Sequence, residues 1–194
     1  MIRLTLKTYH PVSVFIKNTP IGIDKPIQAY QTVFYNSLKK LWNLTDNDWN
    51  CYGRVYRNQT EDGYAPEAYV GNGEYKEVFF DDTLKVLSFF GVGETIKFTN
   101  LSAIAPVYLI MMVNIPLIKP AITGIADEEI RNDVQNFCRA PRFTFEMQSF
   151  ETGLDTVFKE YSGWRKKDGI KYRDQYPLHC FRINFNLIYN IGNN

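Results

Sequence analysis

The sequence predicts an α+β domain: a mainly antiparallel sheet with about three helices packed mostly on one face, plus a projecting loop or β-extension. Three observations carry this prediction. The closing stretch, Leu178 to Ile191, places Phe181, Ile183, Phe185, Leu187, Tyr189 and Ile191 on one side and Arg182, Asn184, Asn186, Ile188 and Asn190 on the other. That period of two, broken once, is a long strand with one face buried and one face wet or turned to a partner, and it needs a neighbour on each edge. Two other segments, Lys25 to Leu44 and Asp127 to Arg139, hold apolar residues at helical spacing. The elements follow in the order β, α, several β, α, β, α, β, with neither strict strand–helix alternation nor a repeat of fixed period.

In chain order, Ile2, Leu4 and Leu6 alternate with Arg3, Thr5 and Lys7, a strand pattern and not the apolar block of a signal peptide, so secretion is not expected. The short apolar run Val12 to Ile16 follows, then a link with Pro20 and Gly22. Asp24 is placed to cap the first helix, whose inward face is Ile27, Tyr30, Phe34, Leu38, Leu41 and Trp42, with Pro26 in the first turn. Thr45-Asp46-Asn47-Asp48 ends it, because these side chains compete for backbone groups. Cys51 to Arg57 and Tyr75 to Phe80 read as strands. The residues between them, with Asp62-Gly63, Pro66 and Gly71-Asn72-Gly73, are too many for a tight hairpin and form a loop or small β-extension.

Leu84 to Phe90 and Thr95 to Thr99 are a strand and its partner across Gly91-Val92-Gly93. Val107 to Val113 is apolar at every position, which predicts a central strand covered on both faces and falls far short of a membrane-spanning helix. Asp127, Glu128 and Glu129 suit the positive end of the second helix, which stops before Pro141. Phe143, Phe145 and Met147 alternate with polar residues as another half-buried strand. Thr152 is placed to cap a short third helix with Leu154, Val157, Phe158 and Tyr161 inward. A polar loop, Trp164 to Tyr176, leads to the last strand.

A chain of 194 residues is read as one domain that buries roughly 70% of its unfolded surface. The net charge of +1 argues against a surface devoted to nucleic acid, while an aromatic content of 15% leans towards sheet and interfaces. Cys51, Cys138 and Cys180 are odd in number and far apart, so they are read as buried or half-buried free thiols of a reducing compartment.

Chemistry is sparse. His179 and Cys180 are neighbours on a strand and point to opposite faces, so they are no nucleophile pair. The acidic pairs Asp46/Asp48 and Asp81/Asp82 and the triplet at Asp127 are explained by turns and helix dipoles, and none has metal-site spacing. Gly71-x-Gly73 and Gly91-x-Gly93 lack the third glycine and the strand-to-helix setting of a dinucleotide site. No catalytic residue, cofactor or metal is expected, and the chain is not read as an enzyme. Two features stand above this background. The loop Trp164 to Arg173 holds Arg165, Lys166, Lys167, Lys171 and Arg173 with one acid; its ordinary reading is a solvated tip, and the alternatives are contact with a neighbouring protein or with nucleic acid. Tyr64, Tyr69, Tyr75, Trp164, Tyr172 and Tyr176 fall in loops and on exposed strand faces, a richness in rings that points to protein interfaces.

The order of elements, the acidic-capped helix DEEIRNDV, the phrase ETGLDTVFKEYSGW and the closing DQYPLHCFRINFNLIYNI together resemble the neck proteins of tailed bacteriophages, the head-to-tail connectors and tail-terminator-like rings, in the style of the crAss-like phages. The resemblance spans most of the chain and is one of architecture, without a diagnostic motif. It implies a structural subunit made in the host bacterial cytoplasm and carried in the virion neck. Six or twelve copies would form a ring between the portal and adjacent ring or tail proteins, around a channel through which genomic DNA passes without sequence specificity. No membrane is implied. On this reading Arg182, Asn184, Asn186 and Asn190 face the lumen or a neighbour, and the insertion Asn58 to Glu74, with Tyr64 and Tyr69, and the loop Arg165 to Arg173 are docking arms. The alternative is an aromatic-rich binding module for carbohydrate or single-stranded nucleic acid, which would show coplanar rings on a concave surface.

Overall fold

A computed structural model describes residues 14–78, 83–140, 144–165, 170 and 173–191. Their strands form a seven-stranded sheet and a separate three-stranded one. The large sheet has the order β1 (Val14–Phe15), β2 (Trp49–Arg54), β6 (Val86–Val92), β8 (Ser102–Asn114), β10 (Leu178–Asn190), β9 (Phe145–Thr152), with β7 (Lys97–Phe98) paired to the start of β8. The small sheet is β3 (Tyr56–Thr60), β4 (Gly63–Gly71) and β5 (Glu74–Glu77), all antiparallel.

The organising role of the last strand holds. β10 pairs along its length with β8 and on its other edge with β9, and Phe181, Ile183, Phe185 and Leu187 are fully buried on one face. β8 is central and Val107 to Val113 is buried throughout, because both faces are covered. The sheet is not antiparallel everywhere. β1 and β2 are parallel, joined across helix α1 (Asp24–Leu41), and β2 and β6 are parallel, joined across the small sheet. Nothing local in the sequence marks either crossover, and among the described residues β1 is only Val14–Phe15.

The helices also differ from expectation in number and placement. α1 and α3 (Asp127–Arg139) cover one face, burying Ile27, Tyr30, Phe34, Leu38, Ile130 and Val134 against β2, β6, β8 and β10. The expected third helix is a single turn, α4 (Leu154–Val157), followed by another, α5 (Ser162–Arg165); on the opposite face α4 packs against β9 and β10 and α5 beside β4. A further turn, α2 (Ile115–Ile118), follows β8. Among the described residues there are thus five helices on two faces, and the insertion expected to project instead lays Ala65 and Ala68 of β4 into the second core. The polar loop expected after Tyr161 is partly core as well, since Trp164, Ile170 and Arg173 are buried.

Two caps are read differently in three dimensions. Asp24 is the first helical residue, not the cap, and is buried between Lys17 Nζ at 2.8 Å and Arg54 Nε at 2.7 Å. Gly153, with φ 85°, and not Thr152, precedes α4. The Thr45 to Asp48 cluster behaves as expected: the Asp48 carboxylate accepts from the Thr45 backbone N–H at 2.7 Å and from its hydroxyl at 2.8 Å, closing a capping box.

Candidate functional site

The residues singled out from the sequence do not converge. Lys166, Lys167 and Lys171 lie outside the described residues, and Arg165 ends α5. Arg173 is buried and so is not part of an exposed basic arm. Arg182, expected on a wet face, is buried too: α4 and the segment after it cover that face of β10 and bring Glu160 over it. The guanidinium donates two bonds to the Glu160 carboxylate, one of them 2.8 Å, donates from Nε to Asn184 Oδ1 at 2.7 Å, and lies 3.8 Å from the centre of the Tyr108 ring. Asn184, half-buried, passes the chain on to Ser149 Oγ at 2.9 Å. Asn186 is half-buried further along. Arg182 and Asn184 are thus tied to Glu160 and to β9, while Asn190, at the end of β10, is exposed.

Above this network lies a cleft of about 340 Å³ lined by Val55, Arg57, Val92, Glu94, Tyr108 and Glu160, with Tyr161 at its side. The Tyr108 and Tyr161 hydroxyls share a hydrogen bond of 2.8 Å. Burial is the main effect on both and pushes Tyr108 up to about 12 and Tyr161 well above the ordinary tyrosine value. Both phenols therefore stay neutral at physiological pH. The two carboxylates are each held by an arginine, Glu94 by Arg57 at 3.1 Å and Glu160 by Arg182. Neutral phenols and arginine-paired carboxylates give the cleft hydrogen-bonding walls. Among the described residues no group of three His, Cys, Asp or Glu side chains is placed to hold a metal ion. The three cysteines are buried free thiols, and burial pushes those of Cys51 and Cys138 up to about 12.

The small sheet gathers the tyrosines. Tyr64 lies under the Arg57 guanidinium at 4.1 Å, and Tyr69 and Tyr56 each meet Tyr75 at 5.6 Å. Lys17 and Arg54 stand over the Tyr56 ring at 5.4 and 4.5 Å. Burial alone would depress the Lys17 ammonium; the Asp24 carboxylate and the Tyr75 and Tyr56 hydroxyls outweigh it and raise its pKa. The ring planes cross at 73° and 64°, so the tyrosines meet edge to face and offer no stack of coplanar faces. They tie the small sheet to the start of α1.

What the sequence reading missed lies at the two ends of the large sheet. β8 and β10 run antiparallel over 13 residues each, roughly 40 Å, with Ser102 opposite Asn190 at one end and Asn114 opposite Leu178 at the other. At the first end the β7–β8 hairpin exposes Phe98 to 67% and Leu101 to 77%, and Ile191, also exposed, donates its N–H to the Leu101 carbonyl at 3.2 Å. At the other end, α2 and the loop after it expose Leu117, Ile122 and, to 65%, Ile125. Tyr176 is exposed beside Pro177, whose carbonyl accepts from Ile115 N–H at 2.9 Å. The available signal was large apolar residues inside turn-forming stretches, Phe98-Thr99-Asn100-Leu101 and Ile122-Thr123-Gly124-Ile125, where no core demands them.

No family model, curated protein or solved structure matches this chain. No helix of the described residues is long and apolar enough to cross a membrane.

Proposed function

We propose that this chain is a structural subunit of a homo-oligomeric ring in the neck of a tailed bacteriophage, joining portal to tail around the DNA channel. The observation that carries the reading is that exposed apolar side chains stand at two non-identical ends of one sheet, Phe98 and Leu101 at one and Leu117, Ile122 and Ile125 at the other. Exposed apolar groups of this kind mark contact surfaces. Two different surfaces on one chain associate head to tail, and such contacts close into a ring when the rotation between copies permits. A net charge of +1 suits a channel through which DNA slides, because a strongly basic lumen would hold it by counterion release. The resemblance of the sequence to neck proteins supplies the biological setting.

The test is the mass of the purified protein by light scattering after size exclusion, with negative-stain images of the same fraction. Annular particles of six or twelve subunits with a central opening are expected. Particles without a channel, or a monomer that binds oligosaccharide or single-stranded DNA, would overturn the proposal.

A further inference from the structure

We infer that the β7–β8 hairpin of one copy docks on the α2 end of a second copy, and that this is the contact that builds the assembly. The inference rests on the ring reading above and names the surfaces that mate.

The hairpin tip is preformed. Thr99 N–H donates to the Ser102 carbonyl at 2.8 Å, Ser102 N–H donates back to Thr99 Oγ1 at 3.1 Å, and the two hydroxyls meet at 2.7 Å. These bonds fix a tight turn that holds Phe98 and Leu101 out into solvent, with Ile191 alongside. A rigid apolar knob needs little ordering on binding, which is where much association free energy is otherwise lost. Among the described residues Phe98 and Leu101 stay exposed, and the α2 end lies at the far end of the strands, roughly 40 Å away.

The other end is equally well anchored. Ile115, Ile118 and Ala126 are buried, and Lys119 is ion-paired to Asp133 of α3, so the loop carrying Leu117, Ile122 and Ile125 is fastened on both sides. The charges beside the two surfaces are opposite. Lys97 is exposed in the hairpin. Asp127 and Glu129 directly follow the Ile125 loop, and neither forms an ion pair with another described residue, whereas Glu128 is taken by Arg131. An apolar knob beside a cation and an apolar seat beside two carboxylates are complementary to each other and not to themselves. A second copy of this chain is the partner that fits both, and like ends repel or fail to match.

The test uses two full-length variants, Leu101→Asp for the knob and Ile125→Asp for the seat, with size by light scattering. Both side chains are exposed, so melting temperatures close to wild type check that each variant folds. The wild type is expected to assemble, and each variant alone to be monomeric, with association weakened roughly 30-fold or more. An equimolar mixture is expected to form dimers and nothing larger, because the intact seat of one meets the intact knob of the other and both remaining ends are blocked. The pair Lys97→Glu and Glu129→Lys gives a second readout: each alone weakens assembly and the doubly exchanged chain recovers it. A mixture that stays monomeric, variants that assemble like wild type, or a wild type monomeric at about 1 mM would each overturn the inference. Closed rings that survive both aspartates would remove the knob-and-seat assignment and leave the neck-ring reading; dimers in the mixture with open filaments from wild type would do the reverse.

Discussion

Replacing Arg182 by methionine keeps most of the side-chain volume and removes the charge buried beneath the cleft. Arg182 is 4% exposed and is bonded through two nitrogens to Glu160, through Nε to Asn184, and by its flat face to Tyr108. Taking one member from a buried pair costs about 3–5 kcal/mol, chiefly because its partner is left charged and dry. The Glu160 side chain keeps 22% of its exposure, so some water reaches it and the lower figure, about 3 kcal/mol, applies. The lost contact with the Tyr108 face adds about 1 kcal/mol. The sum of about 4 kcal/mol should lower the melting temperature by roughly 8–16 °C for a chain of this size. Glu160→Gln should cost less, about 2 kcal/mol, since the deeply buried guanidinium keeps the more distant Glu151 carboxylate at 3.7 Å. The double variant Arg182→Met/Glu160→Met removes both charges and should come within about 1 kcal/mol of wild type. Equilibrium unfolding in urea, followed by tryptophan fluorescence, reads all three, because Trp49 and Trp164 are buried in the two cores. If the double variant loses as much as the singles added together, the two residues are not coupled and the account of this network is wrong.

Two further outcomes follow from the same face and from its neighbour. A Cβ on Gly91 would sit 2.1 Å from Tyr108 Cζ, and that ring is held by Arg182 and Tyr161, so Gly91→Ala should cost about 2–3 kcal/mol. In a Tyr108→Ala background the same change should cost far less, and an unchanged penalty would place the strain elsewhere. Asp174 has its pKa lowered from 3.8, first by the hydrogen bond with His179 Nδ1 at 2.9 Å, against the opposing effect of burial, and then by the Cys180 N–H. A depressed carboxylate stabilises the fold fully above its unfolded value and loses that contribution as pH falls through 3.8 towards the lower folded value. Asp174→Asn should therefore flatten the acid limb of a stability–pH curve below about pH 4, and an acid limb as steep as wild type would exclude Asp174 from it.

Much of the fold was legible in the chain because it was written in local periods. The alternation of β10, the unbroken apolar run of β8 and the helical stripe of α3 each report which faces are buried, and burial is what sets those periods. The Thr45 to Asp48 turn was legible for a related reason, since its capping box closes within four residues.

The site was less legible, because its polar members are defined by what comes to lie over them. Arg182 reads as solvent-facing in a strand of alternating residues; only the placement of Glu160 and Tyr108 over it makes it a core residue. Arg173 and Trp164, in a stretch that reads as a polar loop, are buried for the same reason. The parallel pairing of β1, β2 and β6 is likewise set by distant chain segments meeting edge to edge, which no local period encodes. Phe98, Leu101 and Ile125 show the converse: in sequence they are ordinary apolar residues, and it is the position of their turns at opposite ends of 13-residue strands that leaves them exposed. The sequence by itself determined the elements and their buried stripes, since each depends on neighbours within a few residues. The tertiary structure alone decided which charges are buried and which apolar side chains are left outside, because exposure depends on what the rest of the chain brings to cover a residue.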